Sequence, residues 1–353
     1  RDEARLMVVH RKTGEIEQML VKDLVNLFDD GDLFIFNDTA TFPARLYARK
    51  EKTQAEIEVF LLRELQHQQR YWDVLVDPAR KIRVGNKLNF DEDPAIQAEV
   101  IDNTTSRGRT FRFLTDYGDD EFVQKLYSIG HTPIPYYIER PLAEEVREQF
   151  KEVYNLDDNT DIDAYVDKMD VERYQSIFAK KIGAVAAPAA CLHFSKQLLK
   201  RMEIRGINYE CLTSHMSLGN FKTVDVEDLT KHKTDSEEMF VSEEACNCIN
   251  EAIRAHRQVC AVGTTTQRAL ETALSADGFV KPFEGWTNRF IFPPYEFGVT
   301  SSMVSNFQLP LSVMLMMTCA FGGYEAVMDA YQQALDNDYK FGAYGDALLI
   351  LKD

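Results

Sequence analysis

A chain of 353 residues, 45% hydrophobic and 27% charged, is long enough for one large domain plus a smaller one and apolar enough to bury a full core. No run of about eighteen apolar residues occurs, which excludes a membrane-spanning helix. The formal charge of −17, from 40 Lys plus Arg against 57 Asp plus Glu, opposes a nucleic-acid partner unless basic residues gather locally.

They do gather. Arg45, Arg49, Lys50 and Lys52 form one cluster, Arg80, Lys81, Arg83 and Lys87 a second, and Arg107, Arg109 and Arg112 a third. The acids concentrate elsewhere, with ten acids against three bases over residues 142–170. The six cysteines include no CxxC pair, so reduced thiols in a cytoplasm are expected. Cys246 and Cys248, two apart in a helical pattern, point in different directions and read as buried thiols rather than zinc ligands.

In chain order, residues 1–10 open on a strand pattern with neither signal peptide nor initiator methionine, so further residues are expected to precede them. Leu33-Phe-Ile-Phe36 is a short apolar run suited to a buried strand, closed by the turn formers Asn37-Asp38. From about Ala55 to Leu114 come short strands at 57–62, 71–76, 87–90, 95–101 and 110–114. Strands so closely spaced, with no helix between them, predict a small antiparallel barrel or sandwich. Residues 143–154 are acidic and helix-like. Residues 157–163 read as a solvated loop, since they lack the central Gly and closing Glu of a calcium loop.

From Asp170 onward strands and helices alternate. Residues 184–187 are a small-residue strand, and Ser195 caps a helix with Leu198, Leu199 and Met202 on one face. A strand at 209–213, a helix at 243–256, a buried strand at 259–262 and a helix at 267–274 follow, and 309–321 reads as a buried helix. The fold class is α/β, with a larger mixed or parallel, barrel-like domain interrupted by a small all-β barrel. The expected divisions are 1–50 with 170–353 for the α/β domain, 51–141 for the barrel and 142–169 for an acidic helical and loop insertion.

Four places carry candidate chemistry. Gly263-Thr264-Thr265-Thr266 lies between a buried strand and a helix, where free N–H groups attract an anion and the hydroxyls of Thr264 and Thr265 can add bonds; plain N-capping is the alternative. His193 and His215 each follow a predicted strand, where α/β active sites gather, and with Glu237 and Asp346 they can supply acid–base chemistry; a structural role is the alternative for each. Trp286 with Tyr295-Glu296-Phe297 joins aromatic rings to a carboxylate, which suits a cation as well as core packing. Asn37-Asp38-Thr39, followed by Pro43 and Arg45, is a polar strand end or a plain turn.

Over nearly its whole length the chain resembles the S-adenosylmethionine:tRNA ribosyltransferase-isomerase family of queuosine biosynthesis. The resemblance rests on Phe36-Asn-Asp-Thr39, Pro43-Ala-Arg-Leu46, Gly130-His131, Arg173-Tyr-Gln175, Gly183-Ala-Val-Ala-Ala-Pro188 and Leu192-His-Phe194. It continues through His232-Lys233, Ser236-Glu237, Val262-Gly-Thr-Thr265, Gly285-Trp-Thr287, Tyr295-Glu-Phe297, Asn306-Phe307, Leu309-Pro310 and Tyr344-Gly-Asp-Ala347. It implies transfer of the ribosyl part of S-adenosylmethionine to 7-aminomethyl-7-deazaguanine at the tRNA wobble position. The sugar becomes an epoxycyclopentane, and adenine and methionine leave. The resemblance further implies a cytoplasmic enzyme whose partners are S-adenosylmethionine and the tRNA anticodon region, with no membrane, no metal and no cofactor besides S-adenosylmethionine as substrate.

In that chemistry the sulfonium acidifies its neighbouring carbon, and His193 or His215 would serve as base and acid. Tyr295 and Glu296 would face the sulfonium, and Thr264 and Thr265 would hold the methionine carboxylate with Arg268 nearby. Asp38, Arg45 and Asp346 would contact base or ribose, and Asn306 would bind substrate. The chain departs from the family pattern at Ala40 (usually Arg), Gln308 (His), Leu311 (Lys), Ala189 (Thr), Cys191 (Gly), Met216 (Val), Ser217 (Gly), Asp235 (His) and Tyr136 (Pro). Polar groups changed in such motifs alter substrate contacts. Two further readings stay open: a paralogue using S-adenosylmethionine with another acceptor, and a non-catalytic RNA- or ligand-binding protein.

Overall fold

In the computed structural model, which describes residues 1–138, 144–217 and 223–352, the chain opens with β1 (Arg5–His10), β2 (Ile16–Leu20), β3 (Leu33–Asn37) and β4 (Thr39–Thr41). It then forms β5 (Arg45–Lys50), β6 (Glu56–Gln66), β7 (Tyr71–Asp77), β8 (Lys87–Asn89), β9 (Gln97–Asn103) and β10 (Gly108–Leu114), followed by α1 (Asp119–Ser128), α2 (Glu144–Tyr154) and α3 (Ile162–Arg173). The expected boundary at 141/142 and the helix start at Ala143 lie outside the described residues.

Strands β5 to β10 close an antiparallel barrel in the order β10-β7-β6-β5-β8-β9. Strict alternation dictates it: Trp72, Val74 and Val76 of β7 are buried, while Tyr71, Asp73 and Leu75 between them are only partly covered. Leu46 and Ala48 of β5 are buried in the same way, so β5 is a barrel strand. The barrel unit therefore runs from Thr41 to Tyr174, where the sequence suggested divisions at 50/51 and 169/170. The Asp-rich stretch also gains a purpose. Asp161 caps α3 by accepting the N–H groups of Asp163 and Ala164.

The other unit joins Arg1–Ala40 to Gln175–Asp353. Its second part holds β11 (Lys181–Ala184), a 3-10 turn at Ala189–His193, α4 (Lys196–Ile204), β12 (Asn208–Ser214), β13 (Glu237–Val241), α5 (Glu243–Arg254), β14 (Val259–Val262) and α6 (Thr264–Ala273). Then come β15 (Phe283–Thr287), β16 (Ser302–Asn306), α7 (Val313–Gly322), α8 (Tyr324–Asp336) and β17 (Ala347–Leu351). Nine strands make one mixed sheet, β15-β13-β12-β3-β14-β16-β17-β1-β2. Its central run β12-β3-β14-β16 is parallel, and antiparallel strands flank it. The small-residue strand expected at 184–187 lies earlier: β11 ends at Ala184 and pairs with β4 outside this sheet, while 185–187 are not strand. The helix expected at 309–321 starts only at Val313, after Pro310 and a left-handed Leu311, with Ser312 capping Leu315 N–H.

The all-apolar run in β3 follows from burial on both faces. Leu33 and Ile35 join Ala261, Met303 and Ile350 in a core beneath α5 to α8, while Phe34 and Phe36 turn the other way to Phe194, Leu198 and Met202. Among the described residues no helix is long and apolar enough to cross a membrane.

Candidate active site

Because β12, β3, β14 and β16 run parallel, their carboxyl ends share one edge of the sheet, the usual place for α/β active sites. The antiparallel register brings three more strand ends to it. Glu237 opens β13 opposite Thr287, and Asn306 pairs with Ala347, beside Asp346. One edge thus collects Asn37, Asp38, His215, Glu237, Thr264, Thr265, Asn306 and Asp346.

Asn37 organises this edge. It is fully buried, its amide donates to Ser214 O at 2.8 Å and to Thr265 Oγ1 at 3.5 Å, and its Oδ1 accepts the N–H groups of Thr39 and Ser214. Asp38 accepts the Thr213 hydroxyl at 2.7 Å. The strand end expected to be either functional or a plain turn is a bonded junction of β3, β12 and α6.

His215, half-buried, follows β12. Its Nδ1 lies 2.8 Å from Thr39 Oγ1, and its ring rests on Gly183, where an added Cβ would come within 2.6 Å of ring atoms. Burial lowers its pKa below 6.5, against the opposing pull of Glu238 and Asp38. His193 sits deeper, at the end of the 3-10 turn. Its Nε2 is 3.1 Å from Asn306 Oδ1, and burial pushes its pKa down to about 4. Asn306 donates its amide to Gly342 O, which fixes its Oδ1 as an acceptor and so makes His193 Nε2 the donor.

Helix α6 begins at Thr264, earlier than the sequence suggested, after Gly263 with φ of 102°. No side chain caps it, so Thr264 and Thr265 lie in the first turn and the N-capping alternative does not hold. Thr266 bonds back to Val262 O.

Glu237 and Arg268, each about 2% exposed, form a buried ion pair, and burial lowers the guanidinium pKa to about 10, still charged at neutral pH. Glu237 also accepts the N–H and hydroxyl of Ser217, so the expected catalytic acid and the expected ligand-binding arginine lie in one buried pair. Asp346 accepts the backbone N–H of Arg5 and Lys340 and the Arg5 guanidinium, bonds that tie the start of β1 to the segment before β17.

Glu271 is the residue that the sequence reading missed. Buried on α6, it accepts the N–H groups of Gly298 and Val299 and the hydroxyl of Tyr295, and burial raises its pKa against those bonds. The carboxylate beside Tyr295 is therefore Glu271, while Glu296 is exposed. A charged residue three positions after Arg268 on a helix otherwise buried was the available signal. Arg45 belongs to the barrel unit, where it donates to Ile134 O and lies 3.4 Å from Glu58 and 4.8 Å from the Tyr136 ring. Gln308, one of the departures, donates its amide back to Ser305 Oγ in β16. Among the described residues no group of three His, Cys, Asp or Glu is placed to hold a metal ion.

A family model described as queuosine biosynthesis protein matches residues 1–350. An S-adenosylmethionine:tRNA ribosyltransferase-isomerase of Phocaeicola vulgatus is 58% identical, covering 99% of this chain and 93% of its own. One of Bacteroides fragilis is 59% identical over the same shares. Among solved structures, the S-adenosylmethionine tRNA ribosyltransferase of Thermotoga maritima is 26% identical with a TM-score of 0.50, covering 99% of this chain and 93% of that one.

Proposed function

The chain belongs to the queuosine biosynthesis protein family, and from that premise we propose that it transfers and isomerises the ribosyl group of S-adenosylmethionine onto 7-aminomethyl-7-deazaguanine at the wobble position of the tRNA anticodon. The product is epoxyqueuosine, and adenine and methionine are released. Relatives bearing the enzyme's name along the whole chain support this reading. So does one observation of geometry: a held, partly exposed histidine and an uncapped helix start share the carboxyl edge of one sheet. A cytoplasmic setting fits six free thiols.

His215 is the better base. Its depressed pKa favours the neutral ring at pH 7, and the tautomer in which Nδ1 donates to Thr39 Oγ1 would leave Nε2 to take the proton that the sulfonium acidifies. His193, bonded to Asn306 and with a pKa near 4, is too weak a base for that step and serves to orient Asn306. The methionine carboxylate is assigned to the first turn of α6, where N–H groups and the hydroxyls of Thr264 and Thr265 converge. Tyr295, held by Glu271, offers its ring to the sulfonium, and Asp38 and Asn306 are the polar groups for ribose or base. S-adenosylmethionine is a substrate, and no step calls for a metal.

The test is adenine release from S-adenosylmethionine by the full chain, with tRNA bearing the deazaguanine as acceptor. Release that requires this tRNA, and that falls far more in His215→Ala than in His193→Ala, is expected. Release only with some other acceptor would replace the proposal with the paralogue reading. Binding of tRNA without any turnover would support a non-catalytic protein.

A further inference from the structure

The barrel sorts its basic residues into two groups. Arg45 is matched by Glu58, Arg49 by Glu56 and Asp91, Arg107 by Asp77 and Arg112 by Glu99. Arg109 is buried and donates to the carbonyls of Ala79, Ile82 and Gly108. Lys50, Lys52, Arg80, Lys81 and Arg83 behave differently. Among the described residues none of them has an acidic partner within ion-pair distance, and all but the partly covered Lys50 are exposed.

The fold collects these five at one end of the barrel. Lys50 Nζ donates to Lys81 O at 2.9 Å, and Glu51 N–H donates to Lys87 O at 2.9 Å. These bonds join the turn after β5 to the segment that follows β7. Arg109 holds that segment from beneath through Ala79 O and Ile82 O, and Arg83 is fixed by its N–H to Asn86 Oδ1. The acids at this end include Glu51, Asp102, Glu56 and Asp77, the last two already matched by Arg49 and Arg107. The end is therefore positive on a chain whose formal charge is −17. A positive patch on so acidic a chain attracts a polyanion and raises its local concentration.

We infer that this end of the barrel binds the phosphate backbone of the tRNA, at nucleotides other than the one modified. The inference rests on the acceptor being tRNA. Five long cationic side chains without base-reading partners suit phosphates rather than base edges, so the contact adds affinity and orientation and leaves sequence choice to the active site.

The first readout is binding of unmodified tRNA by the full chain across a salt series, which needs no turnover. Lys81→Glu with Arg83→Glu should weaken binding by about tenfold and reduce the slope of log K against log salt by about one per lost contact. Affinity for S-adenosylmethionine by calorimetry should not move, and in turnover the loss should fall on KM for tRNA rather than on kcat. Lys196→Glu with Lys200→Glu, both exposed on α4, controls for the same change in net charge. Unchanged affinity and slope in the Lys81/Arg83 variant, or an equal loss in the α4 variant, would overturn the inference. Intact binding by the wild type without adenine release would count against the acceptor reading alone.

Discussion

Arginine meets carboxylate both at the sheet edge and on the barrel, and the two settings give the same pair opposite consequences. Arg268 and Glu237 have side chains 2% and 1% exposed, so water screens neither charge. Arg112 and Glu99, 2.7 Å apart on the barrel, are 44% and 25% exposed, and water screens both. The difference teaches that the edge is built of interlocked polar groups that cannot be removed singly. The barrel's outer charges are individually expendable and adjust the surface potential.

Breaking the comparison starts with Glu237. Glu237→Ala leaves Arg268 charged and buried, and denaturant unfolding should register a loss of about 3–5 kcal/mol, much of it recovered when Arg268→Met is added. A loss below about 1 kcal/mol would put both pairs in one class.

The next effect is pH-dependent. His193 titrates near 4 when folded and near 6.5 when unfolded, so its stability contribution is complete above pH 6.5 and is lost as pH falls toward 4. The loss over that window amounts to roughly 3 kcal/mol. Subtracting the pH–stability curve of His193→Gln from that of the wild type should isolate this slope, and parallel curves would contradict it.

Gly183→Ala sharpens the catalytic side of the contrast. The new methyl overlaps the His215 ring, and displacement by about an ångström should lower kcat roughly 100-fold with little change in melting temperature. The smallest effect belongs to the barrel, where Arg112→Ala should cost less than about 1 kcal/mol and leave kcat unchanged.

Much of the architecture was legible before the structure. The barrel strands, the buried β3, Ser195 as a cap and β14 leading into a glycine all rest on signals spanning a few residues, such as alternation and capping chemistry. The segments of candidate chemistry were legible too, since strand ends bearing His, Thr and Asn mark an α/β edge. What escaped were statements about partners. Nothing local in Glu271 says that it will hold residues 295–299, and nothing in Asp346 says that Arg5, 341 positions away, will occupy it.

The chain by itself determined its family, its class of fold and the identity of its short elements, because each is written in residues that neighbour one another. Tertiary structure alone decided which histidine stays accessible, which arginines find an acid and where the barrel unit begins. Those outcomes depend on register between strands far apart in sequence, as with Asn37 and Ser214, 177 positions apart, and on how much water burial removes from each charge.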